Sequence, residues 1–524
     1  MTVDAGDVLS VFGRSGSGKT TLLMSITKRA LGRVDRRIDG EIFFGFRNSS
    51  PGRLGVVFDD ANWSFCNLRV DEELAFVLEN GEVEPVEMQK RVHQTLTEVG
   101  LEGFGARQIS SLSGGELRKL AVGTALIGRP DVILSDDLDA SLDPNAIDDL
   151  RNLIESHSKA QGAAWIDFSR RWMGFAIPER PFAAIVDGTL STFSVSSHQD
   201  HVAARTMAGA VGPPLGMSLG NLMASVEPRQ TPPGYFDTEG SAFAYLQSTA
   251  KKMVSTAKPR SNGDVILAAD GLNFSYRGRG HILRECAVRL EAGVVQVLAG
   301  KNGVGKTTLA RILCGLLRPS VGRITLTGRD ASRADLLKAG SLVFQNPEYQ
   351  FVTDAARREI ETALASQGSP IAHAEQVLGE LHLLDRAAEH PFNLTLGEKR
   401  RLAVGVALAL GRKFLIVDEP TLGQDIFQTQ VLGHRLRQAA DSGVAVLVIT
   451  HDPDFVTAFG DRILLMEDGN VSSIGGPGDA FSTHRQTLFS GRSHLINFWE
   501  LAKSAGSASG HVPRTVSDIA LSDD

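Results

Sequence analysis

Cysteine is nearly absent. Cys66, Cys286 and Cys314 are all that 524 residues carry, far apart and with no CxxC pair. This argues against a disulfide framework and predicts reduced, buried thiols of a cytosolic protein. Long apolar runs are missing too. No stretch reaches the roughly 18 apolar residues that a membrane-spanning helix needs. The first residues, MTVDAGDVLSVFG, hold no basic segment ahead of an apolar one, so no signal peptide is expected. Any membrane role is therefore peripheral, through a partner. No long basic block occurs and the formal net charge is −7. Nucleic-acid binders usually carry a basic surface, so no nucleic-acid partner is expected. What remains is ordinary for a soluble chain, 42% hydrophobic and 22% charged residues, long enough for two large domains.

The chain repeats itself. GDVLSVFGRSGSGKTTLL, from Gly6, matches GVVQVLAGKNGVGKTTLA, from Gly293. SLSGGELRKLAVGTAL, from Ser111, matches NLTLGEKRRLAVGVAL, from Asn393, and DVILSDDLDASLD matches KFLIVDEPTLGQD. Ser113 precedes Asp136 by 23 positions, and Thr395 precedes Asp418 by the same 23. Three blocks in one order with a preserved spacing indicate duplication. The repeat predicts a first domain over 1–194 and a second over 263–490. Between them, 195–262 is rich in Pro, Gly and Ser and reads as a linker with one short helix near Ala242–Met253. A tail, 491–524, ends in a stretch from Lys503 expected to be mobile.

Each copy opens with a phosphate loop. The apolar run Val8–Phe12 leads into Gly13, Arg14, Ser15, Gly16, Ser17, Gly18, Lys19, Thr20 and Thr21, where a helical pattern begins that runs to Ala30. Val294–Ala299 leads into Gly300, Lys301, Asn302, Gly303, Val304, Gly305, Lys306, Thr307 and Thr308, with a helix expected to about Leu317. Strand, glycine loop and helix together give GxxxxGK[ST] its meaning. The glycines let backbone N–H groups turn around phosphate oxygens, and the helix N-terminus adds its positive dipole end. Lys19 and Lys306 are expected to reach the β- and γ-phosphates of ATP, and Thr20 and Thr307 to ligate Mg²⁺. The apolar runs Val132–Ser135 and Leu415–Val417 read as buried parallel strands, each followed by an acid. Asp136 and Asp418 then stand at strand C-terminal ends, where such sheets place ligands, and offer Mg²⁺ a hard oxygen.

At this point the residues resemble the ATP-binding-cassette ATPases, with LSGGE at Leu112–Glu116 as the specific mark. The resemblance implies an α/β fold of two phosphate-loop nucleotide-binding domains in tandem, each a mostly parallel sheet with a helical signature subdomain. It also implies a head-to-tail sandwich formed within one chain. Each ATP would lie between one phosphate loop and the signature of the other half, contributed by Ser113, Gly114 and Gly115 or by Thr395 and Gly397. A narrower resemblance rests on Phe344–Gln350, FQNPEYQ, and Pro420–Asp425, PTLGQD. Both are similar to the ATPases of energy-coupling-factor importers, which serve vitamins and metal ions. That implies a transmembrane coupling protein and a small substrate-binding membrane protein as partners, and a place at the cytoplasmic face of the membrane. In this resemblance Glu419 is the general base and His451 contacts the γ-phosphate. Gln345 belongs to the Q-loop and the metal shell, and Tyr276 stacks on adenine. Phe65 and Phe351, beside the Q-loops, would either flank the groove that receives a helix from the membrane partner or pack into the core.

The first half departs from this pattern. Asp59 stands for the Q-loop glutamine, Asp137 for the base, and Phe168 is taken for the histidine position. Only a few residues precede its phosphate loop, so it is expected to be short at the N-terminus and to lack an adenine-stacking aromatic, unless the true start lies upstream. The signatures show the reverse: the first is intact, and the second has Leu396 in place of glycine. In a head-to-tail sandwich every defect collects in one composite site. One hydrolysing and one mainly ATP-holding site are the expectation. Lys399–Arg401 is expected to be a solvated helix face, and the tryptophans to be scattered core or rim packing. Two rival functions are a tandem sugar-importer ATPase and a soluble ribosome-associated tandem ATPase. The Gln345–Glu348 segment disfavours the first. Asp137 and the Pro/Gly linker disfavour the second.

Overall fold

The computed structural model describes residues 2–13, 16–30, 42–43, 54–58, 65–138, 144–169, 182–186, 188–193, 253–255, 263–276, 280–301, 303–424, 426–476 and 519–521. The chain divides into two compact units. In the first, strands β1 (Val8–Gly13), β2 (Leu54–Val57), β3 (Val132–Asp136), β4 (Ala164–Ser169), β5 (Phe182–Val186) and β6 (Thr189–Phe193) form one sheet. Its order is β2-β3-β4-β1-β5-β6, parallel except for the β5–β6 hairpin. Helix α1 (Lys19–Ala30) follows the phosphate loop. Helices α2 (Val70–Asn80), α3 (Pro85–Glu98) and α4 (Gly114–Ile127) pack as a helical subdomain around Leu74, Leu78, Leu96 and Leu120. Helix α5 (Pro144–Gln161) then returns the chain to β4.

The second unit repeats that order. Strands β10 (Val295–Ala299), β13 (Gly340–Val343), β14 (Phe414–Asp418), β15 (Ala445–Ile449), β16 (Arg462–Glu467) and β17 (Asn470–Gly475) run β13-β14-β15-β10-β16-β17. It adds a four-stranded antiparallel sheet of β8 (Val265–Ser275), β9 (His281–Glu291), β11 (Val321–Leu326) and β12 (Arg329–Asp330). The first unit has no counterpart of this sheet among its described residues. Helix α6 (Lys306–Leu313) follows the phosphate loop and stops earlier than the expected Leu317. Gly315 there takes φ 74°, and a left-handed residue ends a helix. Helices α7 (Arg333–Ala339), α8 (Ala356–Ser366), α9 (His373–Glu380), α10 (Leu396–Ala409), α11 (Ile426–Asp441) and α12 (Pro453–Phe459) complete it.

The central strands of both sheets are buried from end to end, because parallel strands with helices on both faces must be apolar on both. Val295, Val417 and Val446 face one core layer of the second unit, and Leu298, Ile416 and Leu447 the other. The signature helices start where their sequences place a cap. Ser113 caps α4 and Thr395 caps α10, each in a capping box with the glutamate three residues on, Glu116 and Glu398.

Three expectations change. Cys286 and Cys314 are buried, but Cys66 is exposed. The tail is not wholly apart from the fold: Ile519–Leu521 forms strand β18, antiparallel to β7 (Met253–Ser255) in the expected linker. Lys399–Arg401 is no solvated face, since Arg400 and Arg401 are buried and Lys399 is ion-paired with Glu348. The helix expected near Ala242–Met253 lies outside the described residues except for Met253, which opens strand β7, and Trp172 and Trp499 lie outside them too. Trp165 is fully buried. No described helix is long and apolar enough to cross a membrane.

Two glycines of the second unit should respond oppositely to a methyl group. A Cβ on Gly340 would lie 2.2 Å from the Phe414 ring, whereas one on Gly379, inside α9, meets nothing within 4 Å. Gly340→Ala is expected to destabilise by about 1–3 kcal/mol through overpacking. Gly379→Ala is expected to stabilise by about 0.5–1 kcal/mol through backbone entropy. Denaturant midpoints that move in the same direction would contradict this.

Candidate nucleotide sites

The second unit gathers its expected residues at the C-terminal ends of β10, β14 and β15. The phosphate loop turns through Gly303 (φ 79°) and Gly305 (φ 115°), backbone conformations that side-chain-bearing residues rarely adopt. Its first glycine, Gly300, has no space for a side chain, because a Cβ would sit 2.4 Å from the Met466 carbonyl. The buried Lys306 side chain folds back along the loop and donates to the carbonyls of Gly300 and, at 3.0 Å, Lys301. It also donates to His451 Nε2 at 2.9 Å. An ammonium has only protons to offer, so Nε2 is the bare nitrogen of a neutral ring. Burial, and then the charge of Lys306, push the histidine pKa down to about 3. Its 3.9 Å approach to Glu419 Oε1 is therefore no ion pair.

Thr307 Oγ1 donates to Asp418 Oδ2 at 2.6 Å. Burial raises the Asp418 pKa, with the Thr307 bond and then Lys306 opposing. Glu419 stands at φ 51°, its N–H donating to Ile449 O at 2.8 Å. Burial raises its pKa to about 7, Lys306 opposing and Asp418 adding to the rise. Tyr276 lies edge-on to Phe274, and its hydroxyl is 3.3 Å from Thr308 Oγ1. An aromatic face thus flanks the loop.

The first unit keeps the frame and changes the groups. Lys19 Nζ donates to Gly13 O at 2.6 Å, and Thr20 Oγ1 to Asp136 Oδ2 at 2.6 Å. Gly16 and Gly18 take φ 81° and 100°, with Ser17 between them in the loop and Thr21 in the first turn of α1. Asp137 has φ 45°, and its N–H donates to Phe168 O at 2.7 Å, the counterpart of the Glu419–Ile449 bond. This overturns the assignment of Phe168 to the histidine position. Asp136 pairs with Phe168 as Asp418 pairs with Ile449. Phe168 is therefore the last core residue of its strand, fully buried. Counting two residues on, as from Ile449 to His451, gives Arg170, which lies outside the described residues. Arg14, Ser15, Asp59, Asn302 and Asp425 lie outside them as well. The β2–β3 register, Leu54 to Val132, mirrors Gly340 to Phe414, so Asp59 follows β2 as Gln345 follows β13.

In the signature turns, Gly114 and Leu396 are the first helical residues after Ser113 and Thr395. Leu396 does not disturb the capping box; it puts a side chain at the first helical position, where the first signature has none. Gly115 and Gly397 follow. A Cβ on Gly397 would come within 3.1 Å of Gly423 O.

Sequence reasoning missed several residues near the Q-loops. Glu359 is buried and accepts from the N–H groups of Val352 (2.7 Å) and Thr353 (2.6 Å) and from the Thr353 hydroxyl (2.9 Å). Glu73 does the same for Cys66 N, Asn67 N and Asn67 Nδ2. The only signal was the repeat itself, each acid lying eight residues after Phe65 or Phe351. Arg400 donates to Gln345 O at 3.1 Å and Arg118 to Phe58 O, which ties each signature helix to its Q-loop. Gln350 clasps the same loop through Phe344 N and Leu342 O. Gln345 itself is exposed.

A hydroxyl and a carboxylate held 2.6 Å apart at the mouth of each phosphate loop form a hard oxygen pair. No group of three or more His, Cys, Asp or Glu side chains that could hold a metal occurs among the described residues. Such a pair fits Mg²⁺, which keeps several waters and takes further ligands from phosphates.

The same sheet order, glycine loop, threonine–aspartate pair and capped signature helix, met twice, define a tandem phosphate-loop ATPase. The chain belongs to the ABC transporter family, whose model matches residues 1–140 and 283–422. It is thus an ATP-binding ATPase coupled to membrane transport, with two cassettes in one polypeptide. It is similar to the putative HMP/thiamine import ATP-binding protein YkoD of Bacillus subtilis (strain 168). The two are 28% identical over 494 residues, 91% of this chain and 87% of that protein. A putative ABC transporter ATP-binding protein of Saccharolobus solfataricus is 26% identical over 501 residues, 92% of this chain and 91% of that one. Among solved structures, it is similar to cbiO1 from Clostridium perfringens, described as part of the ABC transporter complex cbiONQ. That match is 26% identical, covers 44% of this chain and 98% of that one, and has a TM-score of 0.39.

The pH profile follows from the second cassette. Glu419 acting as a base that must be ionised, with its pKa pushed to about 7, would give a kcat/KM that rises as pH increases and levels off above that value. His451, neutral down to about pH 3, adds no descending limb. ATPase measurements between pH 5.5 and 9, on the order of tenfold per unit on the acid side, check this. A profile flat from pH 5.5 upward would contradict it.

Proposed function

We propose that the chain is the energy-coupling subunit of a membrane importer of the energy-coupling-factor type, hydrolysing ATP at one composite site and mainly holding it at the other. The observation that carries this reading is an uneven set of groups on one repeated frame. Lys306, Asp418, Glu419 and His451 stand together in the second cassette. Asp137 holds the place of Glu419 in the first.

In this reading each nucleotide lies between one phosphate loop and the opposite signature. The Lys306 site then receives the intact Ser113–Gly115 turn, and the Lys19 site the altered Thr395–Gly397 turn. Loop N–H groups and Lys306 hold the β- and γ-phosphates, and Tyr276 offers its ring to adenine. A γ-phosphate arriving beside Lys306 draws the ammonium away from His451. That frees the neutral imidazole to orient water, and Glu419 takes the proton of that water. Thr307, Asp418 and Gln345 are the residues that would hold Mg²⁺, which when bound would supply positive charge to the phosphates. The ionised form that Glu419 needs is favoured by Lys306, the main opposing influence on its raised pKa.

At the other site the Asp137 carboxylate is drawn back by one methylene, about 1.5 Å. A misplacement of that size costs on the order of 10²-fold in rate. Lys19, Thr20 and Asp136 remain, and these are the groups that binding needs. Arg170, at the sequence position of the histidine, is a cation suited to keeping a phosphate and unable to accept a proton from water.

Import is favoured by the FQNPEYQ segment and by the printed name of the Bacillus subtilis relative. Loops buttressed by Glu359 and Glu73 carry Tyr349 (79% exposed), Val352 (80%) and Leu68 (79%). Such apolar side chains beside the Q-loops suit a helix from a transmembrane coupling protein. With a small substrate-binding membrane protein as third member, the chain would work at the cytoplasmic face of the membrane.

Glu419→Gln is expected to lower ATP turnover by about 10²–10⁴-fold. Asp137→Asn should change it by less than about twofold, since the group it alters already contributes little. Substantial turnover in the first variant would overturn the assignment of the sites. Co-expression with the coupling protein tests the importer reading. Tyr349→Ser/Val352→Ser should reduce co-purification by about tenfold or more, as loss of two apolar anchors does. Co-sedimentation with ribosomes instead would count against an importer.

A further inference from the structure

Inside the second cassette a buried polar chain joins the loop that follows Glu419 to the signature helix. Gln424, 2% exposed, donates through Nε2 to Gly397 O at 2.8 Å. Its Oε1 accepts from Arg401 Nη1 at 3.4 Å. Arg401, 4% exposed, donates through Nε to Leu381 O at 2.9 Å, the residue just after α9. Chemistry fixes the orientation of the amide. A guanidinium can only donate and a carbonyl can only accept, so each end of Gln424 has one partner it can serve.

The near end of the same loop is tied to the histidine segment. Thr421 Oγ1 lies 3.3 Å from Thr450 Oγ1, one residue before His451, and Glu419 N donates to Ile449 O. The loop therefore bridges two anchors, the γ-phosphate end of β15 and the first turn of α10. Gly397 leaves no slack between them, since a Cβ there would lie 3.1 Å from Gly423 O and from Gln428 Oε1. At the two corresponding positions of the repeat, the first cassette has Leu142 and Lys119 in place of Gln424 and Arg401. Leu142 lies outside the described residues. A leucine can neither donate to the carbonyl nor accept from a cation.

We propose that Gln424 and Arg401 are positioning residues that make the Glu419 loop and the signature helix α10 move as one body, so that a change at the γ-phosphate end reaches Thr395–Gly397. Parting the two elements would strand a buried carbonyl and a buried guanidinium, which is dearer than moving them together. On the two-site reading, on which this consequence rests, Thr395–Gly397 faces the nucleotide that is held. Hydrolysis in the second cassette would then be reported to the non-hydrolysing site through its own chain, and Leu142 with Lys119 offers no amide–guanidinium pair to carry the reverse.

The test is amide hydrogen exchange on the full chain carrying Lys19→Ala, so that nucleotide binds only beside Lys306. Saturating Mg²⁺-ATP should slow exchange by about tenfold both at 303–312 and at 396–405. Adding Gln424→Leu/Arg401→Lys, the pair the first cassette already uses, should abolish the response at 396–405 and keep that at 303–312. Gln424→Glu, nearly equal in volume, keeps an acceptor for Arg401 but loses the donor to Gly397, and should lose the 396–405 response as well. Persistence of that response in either variant, or loss of the 303–312 response in both, overturns the proposal. Both peptides belong to one cassette. A wrong pairing of the cassettes would show instead as retained turnover in Glu419→Gln.

Discussion

The hydrogen bond from the phosphate-loop threonine to the acid at the end of a strand is the closure on which each cassette depends. In the sheet order β14-β15-β10, the strand that feeds the loop and the strand that ends in Asp418 are not neighbours. Thr307 reaches past the end of β15 to meet Asp418, and Thr20 does the same past β4 to meet Asp136. The bond fixes where the helix N-terminus points relative to the acidic strand. It thereby fixes where a phosphate can meet both. The intervening strand is not idle, since its end carries the histidine segment into the gap. Three strand termini converge because parallel pairing aligns them all in one direction.

That closure survives in both cassettes while the chemistry around it does not. Retention of the lysine, threonine and aspartate costs nothing beyond what binding already requires. On the proposed two-site reading, the shorter side chain of Asp137 lacks only what hydrolysis requires. The electrostatics of the second cassette show why its groups act as a set. Burial, and then the charge of Lys306, keep His451 neutral, and Lys306 favours the ionised form of Glu419, so removing the lysine shifts the protonation of both. A half that has lost part of such a set gains little by keeping the rest in register. This is consistent with a first cassette altered at the Q-loop and the base together, and with another residue at its histidine position.

Much of this was legible in the residues. The glycine loops, the apolar strands and the capped signature helices announce themselves because each local choice agrees with the fold. The histidine position was misread because Ile166–Ser169 and Ala445–His451 were matched by residue type within an apolar run, and such a run carries no register of its own. Register comes from pairing with β3, which only the assembled sheet reveals. The arginines of Lys399–Arg401 looked solvated because charge usually is. Here two main-chain carbonyls and one side-chain oxygen draw Arg400 and Arg401 inward. Glu73 and Glu359 were invisible for a similar reason. A buried acid that satisfies loop N–H groups has no sequence signature apart from its recurrence.

The backbone at the base position settles a further question about strain. Glu419 and Asp137 both adopt a left-handed φ, which costs a side-chain-bearing residue about 1–2 kcal/mol. In an active site such an outlier invites a functional reading. Yet the same conformation recurs where the glutamate has been replaced, with the same N–H bond to the neighbouring strand. The strain therefore belongs to the turn that lifts the chain off the sheet edge, and the N–H bond to Ile449 or Phe168 is what offsets it. Chemistry takes advantage of a direction that the fold already imposes. The first cassette shows that this direction persists after the glutamate is gone.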